Sequence, residues 1–250
     1  MAQFPVPLRL GIFVGILLVV WLPLAGPLYI VLEDDNLTAI LTLAILYLEF
    51  LTLAYVWGKK VHQSPHPFQS YGWQWQRKMA LEGINGLAVG FCQIVLLFVL
   101  MAVLGWATVT PPPSLFPIIA QGLLSALGIG LAEELLFRGW FLTELEQDYS
   151  PPVALWSNAL VFAILHFIKP LSEIIRTFPQ FPGLVLLGLI LVWAKRRHQK
   201  RLGFSIGLHT GLVWGYYIIS VGNFVQYTQQ VPPWVTGIDM NPLAGVMGLL

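Results

Sequence analysis

The sequence predicts an all-α fold, a polytopic membrane bundle of about 7–8 transmembrane helices, one of them short or broken. Three observations predict it. Hydrophobic residues make up 57% of the 250-residue chain and charged residues 10%, against about 25% charged in a soluble domain, and mean hydropathy is +0.74. Apolar runs near the roughly 20 residues needed to cross a bilayer recur along the chain. The basic residues, finally, gather at alternate run ends. The net charge of +1 carries no information about partners, and the spread of charge carries it instead.

The first run, 8–32, is longer than the roughly 7–15 apolar residues of a signal peptide and has bulky side chains where small ones mark cleavage. It reads as a retained helix. The acidic turn Glu33, Asp34 and Asp35 precedes the second run, 37–57. Residues 59–78, rich in Trp, Gln and basic side chains, read as a segment at headgroup level. The third run is 84–109, and its Cys92, the single cysteine, excludes a disulfide framework and reads as a small packing residue. Pro111, Pro112 and Pro113 mark a boundary before the fourth run, 115–142, and Pro151 and Pro152 another before the short fifth, 153–168. The sixth, 184–194, is shorter still and is expected to be broken or re-entrant after FPQFPG. The seventh is 202–221, and the tail NPLAGVMGLL begins an eighth at most. No internal repeat or soluble domain interrupts residues 1–250, which read as one integral membrane domain.

With a cytoplasmic N-terminus and alternating runs, Arg9, Lys59, Lys60, Arg77, Lys78, Lys195, Arg196, Arg197, Lys200 and Arg201 fall inside. Only Lys169 and Arg176 fall outside, with Arg138 set aside as intramembrane. This bias fits the positive-inside rule and needs all seven runs. Residues 195–201 then read as an anchor on anionic lipid, and His62, His66 and His198 lie in solvated loops.

Ionisable groups inside a bilayer are costly and normally face a protein interior or a wet cavity. Here they are Glu133, Glu134 and Arg138 in AEELLFRG, His166 behind Phe162 in NALVFAILHF, and His209 in SIGLHTGLVW. At about 1.5 Å per residue, Glu133, His166 and His209 lie roughly 14, 20 and 10 Å from the cytoplasmic run ends, compatible with one cavity. Glu134 and Arg138, four apart, meet on one face, leaving Glu133 to point elsewhere as a base. Asn158, Phe162 and His166 form one stripe, in which Phe162 packs over the imidazole and Asn158 offers a hydrogen bond. Each has a bland counterpart: a structural ion pair, a histidine gluing helices, a core phenylalanine, and Glu49 and Asn158 as structural polar groups. The joint pattern reads as an enzyme site built inside a membrane.

AEELLFRG resembles the EExxxR motif of the CAAX-protease and bacteriocin-processing family of intramembrane endopeptidases, also called the abortive-infection or type II CAAX endopeptidase family. FAILH, with Phe162 and His166, is similar to its FxxxH motif, and GLHTGLVW to its third, histidine-bearing one; the likeness runs from about residue 115 to 221. The resemblance implies that Glu133 activates a water, His166 helps position it, His209 stabilises the oxyanion, and Arg138 with Glu134 shapes the site. Members of the family are described both as metalloproteases and as metal-independent glutamate proteases. Glu133, His166 and His209 are the set to hold zinc if a metal is bound. The absence of HExxH and the nearness of Arg138 favour a metal-free site with no cofactor.

One departure bears on activity. Where the third motif carries Asn or Asp four residues after the histidine, this chain has Val213, and loss of an oxyanion donor costs about 10²–10³ in rate unless Asn158 or a backbone amide substitutes. A shortened C-terminal helix is a second departure. The expected activity is cleavage near the cytoplasmic face of a membrane-anchored or amphipathic peptide or protein substrate, in a bacterial plasma membrane, with lipids and no nucleic acid as partners. A non-catalytic scaffold or immunity protein is the alternative, and a small transporter is disfavoured because repeat symmetry is missing.

Overall fold

The computed structural model describes residues 1–112 and 114–250; Pro113, third of the prolines expected to mark a helix boundary, lies outside the described residues. Helices α1 (Val6–Val31) and α2 (Asp35–Lys60) form a hairpin. Its turn is set by Asp34, whose side chain accepts from the N–H groups of Asn36 and Leu37 at 2.9 and 3.0 Å. Short α3 (Pro67–Ser70) leads to α4 (Arg77–Val103) and strand β1 (Ala107–Val109). The continuous stretch Phe116–Asp148 is α5 (Phe116–Glu133), a π-helical segment (Glu134–Phe141) and α6 (Leu142–Asp148). Then come α7 (Pro151–Leu165), α8 (Leu171–Thr177), α9 (Phe181–Arg197), α10 (Gly203–Val221), β2 (Val225–Tyr227) and α11 (Pro233–Thr236).

Six of these stretches are long and apolar enough to cross a membrane, and α7 is a shorter apolar helix beside them. The sixth run departs from expectation. It is a 27-residue unit, Leu171–Arg197, in which FPQFPG makes a joint instead of a break. Pro179 and Pro182 sit in first helical turns, where no intrahelical N–H is required. The short element is α7, whose 15 residues rise about 22 Å against a core of roughly 30 Å. The third helix stops at Val103, and Gly105 turns the chain at φ +77° into β1. β1 pairs antiparallel with β2, Ala107 opposite Tyr227 and Val109 opposite Val225, an element the all-helical reading lacked. The tail forms short 3₁₀ turns at Pro242–Ala244 and Val246–Leu249 that pack on α9, so no eighth helix begins there.

Polar ties put the run ends where seven alternating crossings require them. Arg9 at the start of α1 bonds Glu144 Oε2 (3.0 Å) and Asp148 Oδ1 (3.2 Å) at the end of α6. Arg196 of α9 reaches Glu146 at 2.9 Å. Arg201 joins Glu82, at the start of α4, at 2.5 Å, while β1–β2 joins the far ends of α4 and α10. These ties also correct the reading of the basic residues: Arg9, Lys195 and Arg201 are buried and serve internal bonds, so two residues of the expected anchor 195–201 face the protein interior. His62 is not solvated; its Nε2 lies 2.5 Å from Glu144 Oε1, which also accepts from Trp57 Nε1 at 3.1 Å. His198 stacks on Phe204 at 4.4 Å, whereas His66 is exposed. Burial raises the pKa of the Tyr71 hydroxyl, which donates to the Ala54 carbonyl in the loop wall. Cys92 is exposed on α4, not packed. Glu49 accepts no hydrogen bond among the described residues, which leaves its expected structural role without a partner.

The most intimate helix pair is α4 with α10. Gly203, Gly207 and Gly211 recur every fourth residue on α10, and a Cβ on Gly207 would collide with the Gly83 carbonyl. With lipid on the outside, close backbone approach through small residues is what holds such helices.

Candidate active site

Three elements build the site. On α5 and the π-helical segment stand Glu133, Glu134 and Arg138; on α10 stands His209; on α7 stand Asn158 and Phe162, with His166 at its end. A Cβ on Gly130 would collide with Thr210 Oγ1, so this glycine, one turn before the glutamates, admits α10 and with it His209.

Glu134 and Arg138 have no exposed side-chain surface. Glu134 Oε1 accepts from Arg138 Nη1 at 3.0 Å and from His209 Nδ1 at 3.0 Å. The guanidinium lies 4.2 Å from the centre of the Phe162 ring, a cation–π contact, and its Nη2 donates to the Gly188 carbonyl at 3.4 Å. His209 turns its other nitrogen, Nε2, to Glu133 Oε2 at 3.9 Å. The Glu133 side chain is 30% exposed, whereas His209 is 5% exposed. One imidazole is therefore flanked by two carboxylates, one locked to an arginine and one open.

Phe162 is the hub of the aromatic packing. Its ring meets Phe137 at 5.1 Å, His166 at 4.6 Å and His209 at 6.2 Å, all edge-on. His166 is exposed, and its Nδ1 lies 2.7 Å from the carbonyl of Phe162. Among the described residues it forms no hydrogen bond or ion pair with Glu133 or His209, and its link to them is the Phe162 ring. Asn158 does not serve His166 either. Its Nδ2 donates to the Phe137 carbonyl at 2.8 Å, which commits the donor expected to replace the missing oxyanion group.

Among the described residues no three His, Cys, Asp or Glu side chains are grouped so as to hold a metal. Glu133, His166 and His209, the set expected to hold a metal if one binds, are not grouped in that way: His166 packs on the Phe162 ring, and Arg138 pairs with Glu134. Five buried polar atoms around the cluster lack a protein partner among the described residues: Glu133 Oε2, Glu134 Oε2, Arg138 Nε, Asn158 Oδ1 and Thr210 Oγ1. Such concentration is unusual, since buried polar groups are nearly always satisfied. A cavity of about 640 Å³ lies between α4, α9 and α10 under residues 241–250, with Cys92, Leu187, His209 and Val213 in its wall. Sequence reasoning missed Lys195, whose ammonium is buried against the Arg138 carbonyl at 2.5 Å, and Thr210. The glycines at every fourth position of α10 are the sequence signal that could have exposed its close approach.

Fold and cluster together define a helical integral-membrane protein with a carboxylate–imidazole–guanidinium site sunk among its helices. Residues 113–215 match the family described as Type II CAAX prenyl endopeptidase Rce1-like. That stretch holds every residue of the cluster and is similar to the CAAX-type endopeptidase family. No curated protein and no solved structure matches the chain.

Proposed function

We propose that this protein is a glutamate-type intramembrane endopeptidase acting on membrane-anchored or amphipathic substrates. The observation that carries the reading is His209 held between Glu134 at 3.0 Å and the half-open Glu133 at 3.9 Å. Glu133 Oε2 takes a proton from a water, and the hydroxide attacks the scissile carbonyl carbon. The resulting oxyanion receives a hydrogen bond from Nε2–H of His209, which acts as an imidazolium with its Nδ1–H donated to the Glu134 carboxylate. Collapse of the tetrahedral intermediate breaks the C–N bond, and protonated Glu133 returns its proton to the leaving nitrogen. Arg138 balances Glu134 so that this carboxylate orients the ring without acting as a second base. The unpartnered oxygens of Glu133 and Glu134 are acceptors that a bound water satisfies. His166, across Phe162, borders the substrate side of the site.

The test is cleavage of prenylated and unprenylated membrane peptides by protein in liposomes, scored by mass, with and without chelator. Glu133→Gln removes the general base and lowers turnover about 10²–10⁴-fold, while chelator leaves the unaltered protein active. Turnover by Glu133→Gln at the unaltered rate sinks the proposal. A non-catalytic scaffold is the second reading, favoured by Val213, which puts an isopropyl group beside His209 in the cavity wall. Under that reading, His209→Ala destabilises the protein and no peptide is cut. The charge bias supports a cytoplasmic N-terminus, and a bacterial plasma membrane is the setting proposed with it.

A further inference from the structure

The π-helical segment raises a question that the ion pair does not answer. A π-helix shifts the backbone bonds to i→i+5, and such segments are rare and mostly confined to a single turn within an α-helix. This one runs for eight residues, Glu134–Phe141, and carries both partners of the buried ion pair. Three successive carbonyls in it each accept a side-chain donor. Phe137 O accepts from Asn158 Nδ2 at 2.8 Å, Arg138 O from Lys195 Nζ at 2.5 Å, and Gly139 O from Thr143 Oγ1 at 2.6 Å. The first two donors come from other helices, α7 and α9.

Those helices are brought together for the purpose by a close contact. A Cβ on Gly188 of α9 would stand 2.8 Å from Ala159 Cα of α7, so only glycine allows the approach. Asn158 adjoins Ala159, and Lys195 lies two turns beyond Gly188 on the same face of α9. Gly188 itself accepts from Arg138 Nη2. Lys195 is 3% exposed, and among the described residues no carboxylate lies within ion-pair distance of its ammonium. A buried cation is costly unless bonded, and here a backbone carbonyl of the π-helical segment is its bond.

We propose that Lys195 and Asn158 form a two-sided clamp that holds the Glu134–Phe141 stretch in its wide winding, and that both are positioning residues for Glu133, Glu134 and Arg138. The clamp rests on the hydrolase reading for its catalytic consequence, but its structural content is read without substrate. Lys195→Met keeps the aliphatic stem and removes the donor; Lys195→Arg restores a cationic donor.

Hydrogen exchange followed by mass spectrometry on the full protein in lipid discs tests this directly. In the unaltered protein, amides 134–141 exchange as slowly as the centre of α10; exchange as fast as the helix ends overturns the clamp. In Lys195→Met those amides exchange at least tenfold faster while α1 and α2 are unchanged, and Lys195→Arg returns them to the slow rate. Asn158→Leu gives the same local pattern, and serves in place of Lys195→Met should that variant not fold. In the peptide assay Lys195→Met lowers kcat about tenfold with KM held, and Lys195→Arg recovers it. Unchanged exchange in Lys195→Met refutes the clamp even where Glu133→Gln abolishes cleavage. A protein that cuts no peptide yet loosens at 134–141 refutes the hydrolase reading and keeps the clamp.

Discussion

Glu133 and Glu134 are neighbours in sequence with opposite surroundings: one carboxylate is 30% exposed beside an imidazole, the other has no exposed surface and two buried donors. The same substitution at each is therefore expected to fail in different ways. Glu134→Gln leaves Arg138 buried without its counter-charge and lowers stability by about 3–5 kcal/mol. Glu133→Gln loses cleavage but shifts stability by about 1 kcal/mol or less, because the side chain is partly exposed and no buried cation loses its partner. Thermal unfolding beside the peptide assay separates the two, and equal destabilisation removes the division of labour. Val213 offers a gain-of-function counterpart. It shares the cavity wall with His209, one helical turn on, so Val213→Asn adds a donor and raises turnover roughly 10-fold or more if the oxyanion is formed there. Of this cluster, Glu133, Glu134, Arg138 and His209 were legible in the sequence, because helical spacing and the cost of burying charge leave few other uses for them. Lys195 was not, because a lysine near a run end reads equally as a lipid anchor. The winding of residues 134–141 was not either, since a shifted hydrogen-bond register leaves no composition mark.

At the scale of elements, the stretch Phe116–Asp148 is pinned just beyond the site by a knot on Glu144. This carboxylate, with no exposed surface, accepts from Arg9 at 3.0 Å, Trp57 at 3.1 Å and His62 at 2.5 Å, tying α1, α2 and the following loop to α6. Arg9→Met strips the buried carboxylate of its main counter-charge and is expected to lower stability by about 3–5 kcal/mol, read as a fall in the unfolding midpoint in detergent. His62→Ala costs less, because Arg9 and Trp57 remain. The knot escaped the sequence reading because its members lie far apart in the chain: Arg9 was counted as a topology signal and His62 as a loop residue. Proline misled in the other direction. FPQFPG has the look of a helix break, yet each proline falls where a new turn begins, so α8 and α9 continue as one crossing.

For the whole molecule, the tied ends sort the helices onto two sides of the bundle. The starts of α1, α4 and α10 and the ends of α6 and α9 share one side, and β1–β2 closes the other. In a cysteine-free background made by Cys92→Ser, cysteines at Lys60 and at Arg176 are expected to react with an impermeant reagent from opposite faces of the membrane; reaction from the same face breaks the topology. The bundle was legible from hydropathy and basic residues alone, because lipid imposes length and charge rules on every crossing. The strand pair was hidden, being three residues a side and held by backbone bonds. One native atom gives this architecture a practical use. Cys92 is the chain's only thiol, and it looks into the 640 Å³ cavity whose wall includes His209. A spin label or fluorophore attached there reports from within without any engineered residue, and the alkylation rate of the unmodified protein becomes a binding curve for whatever molecule shields it.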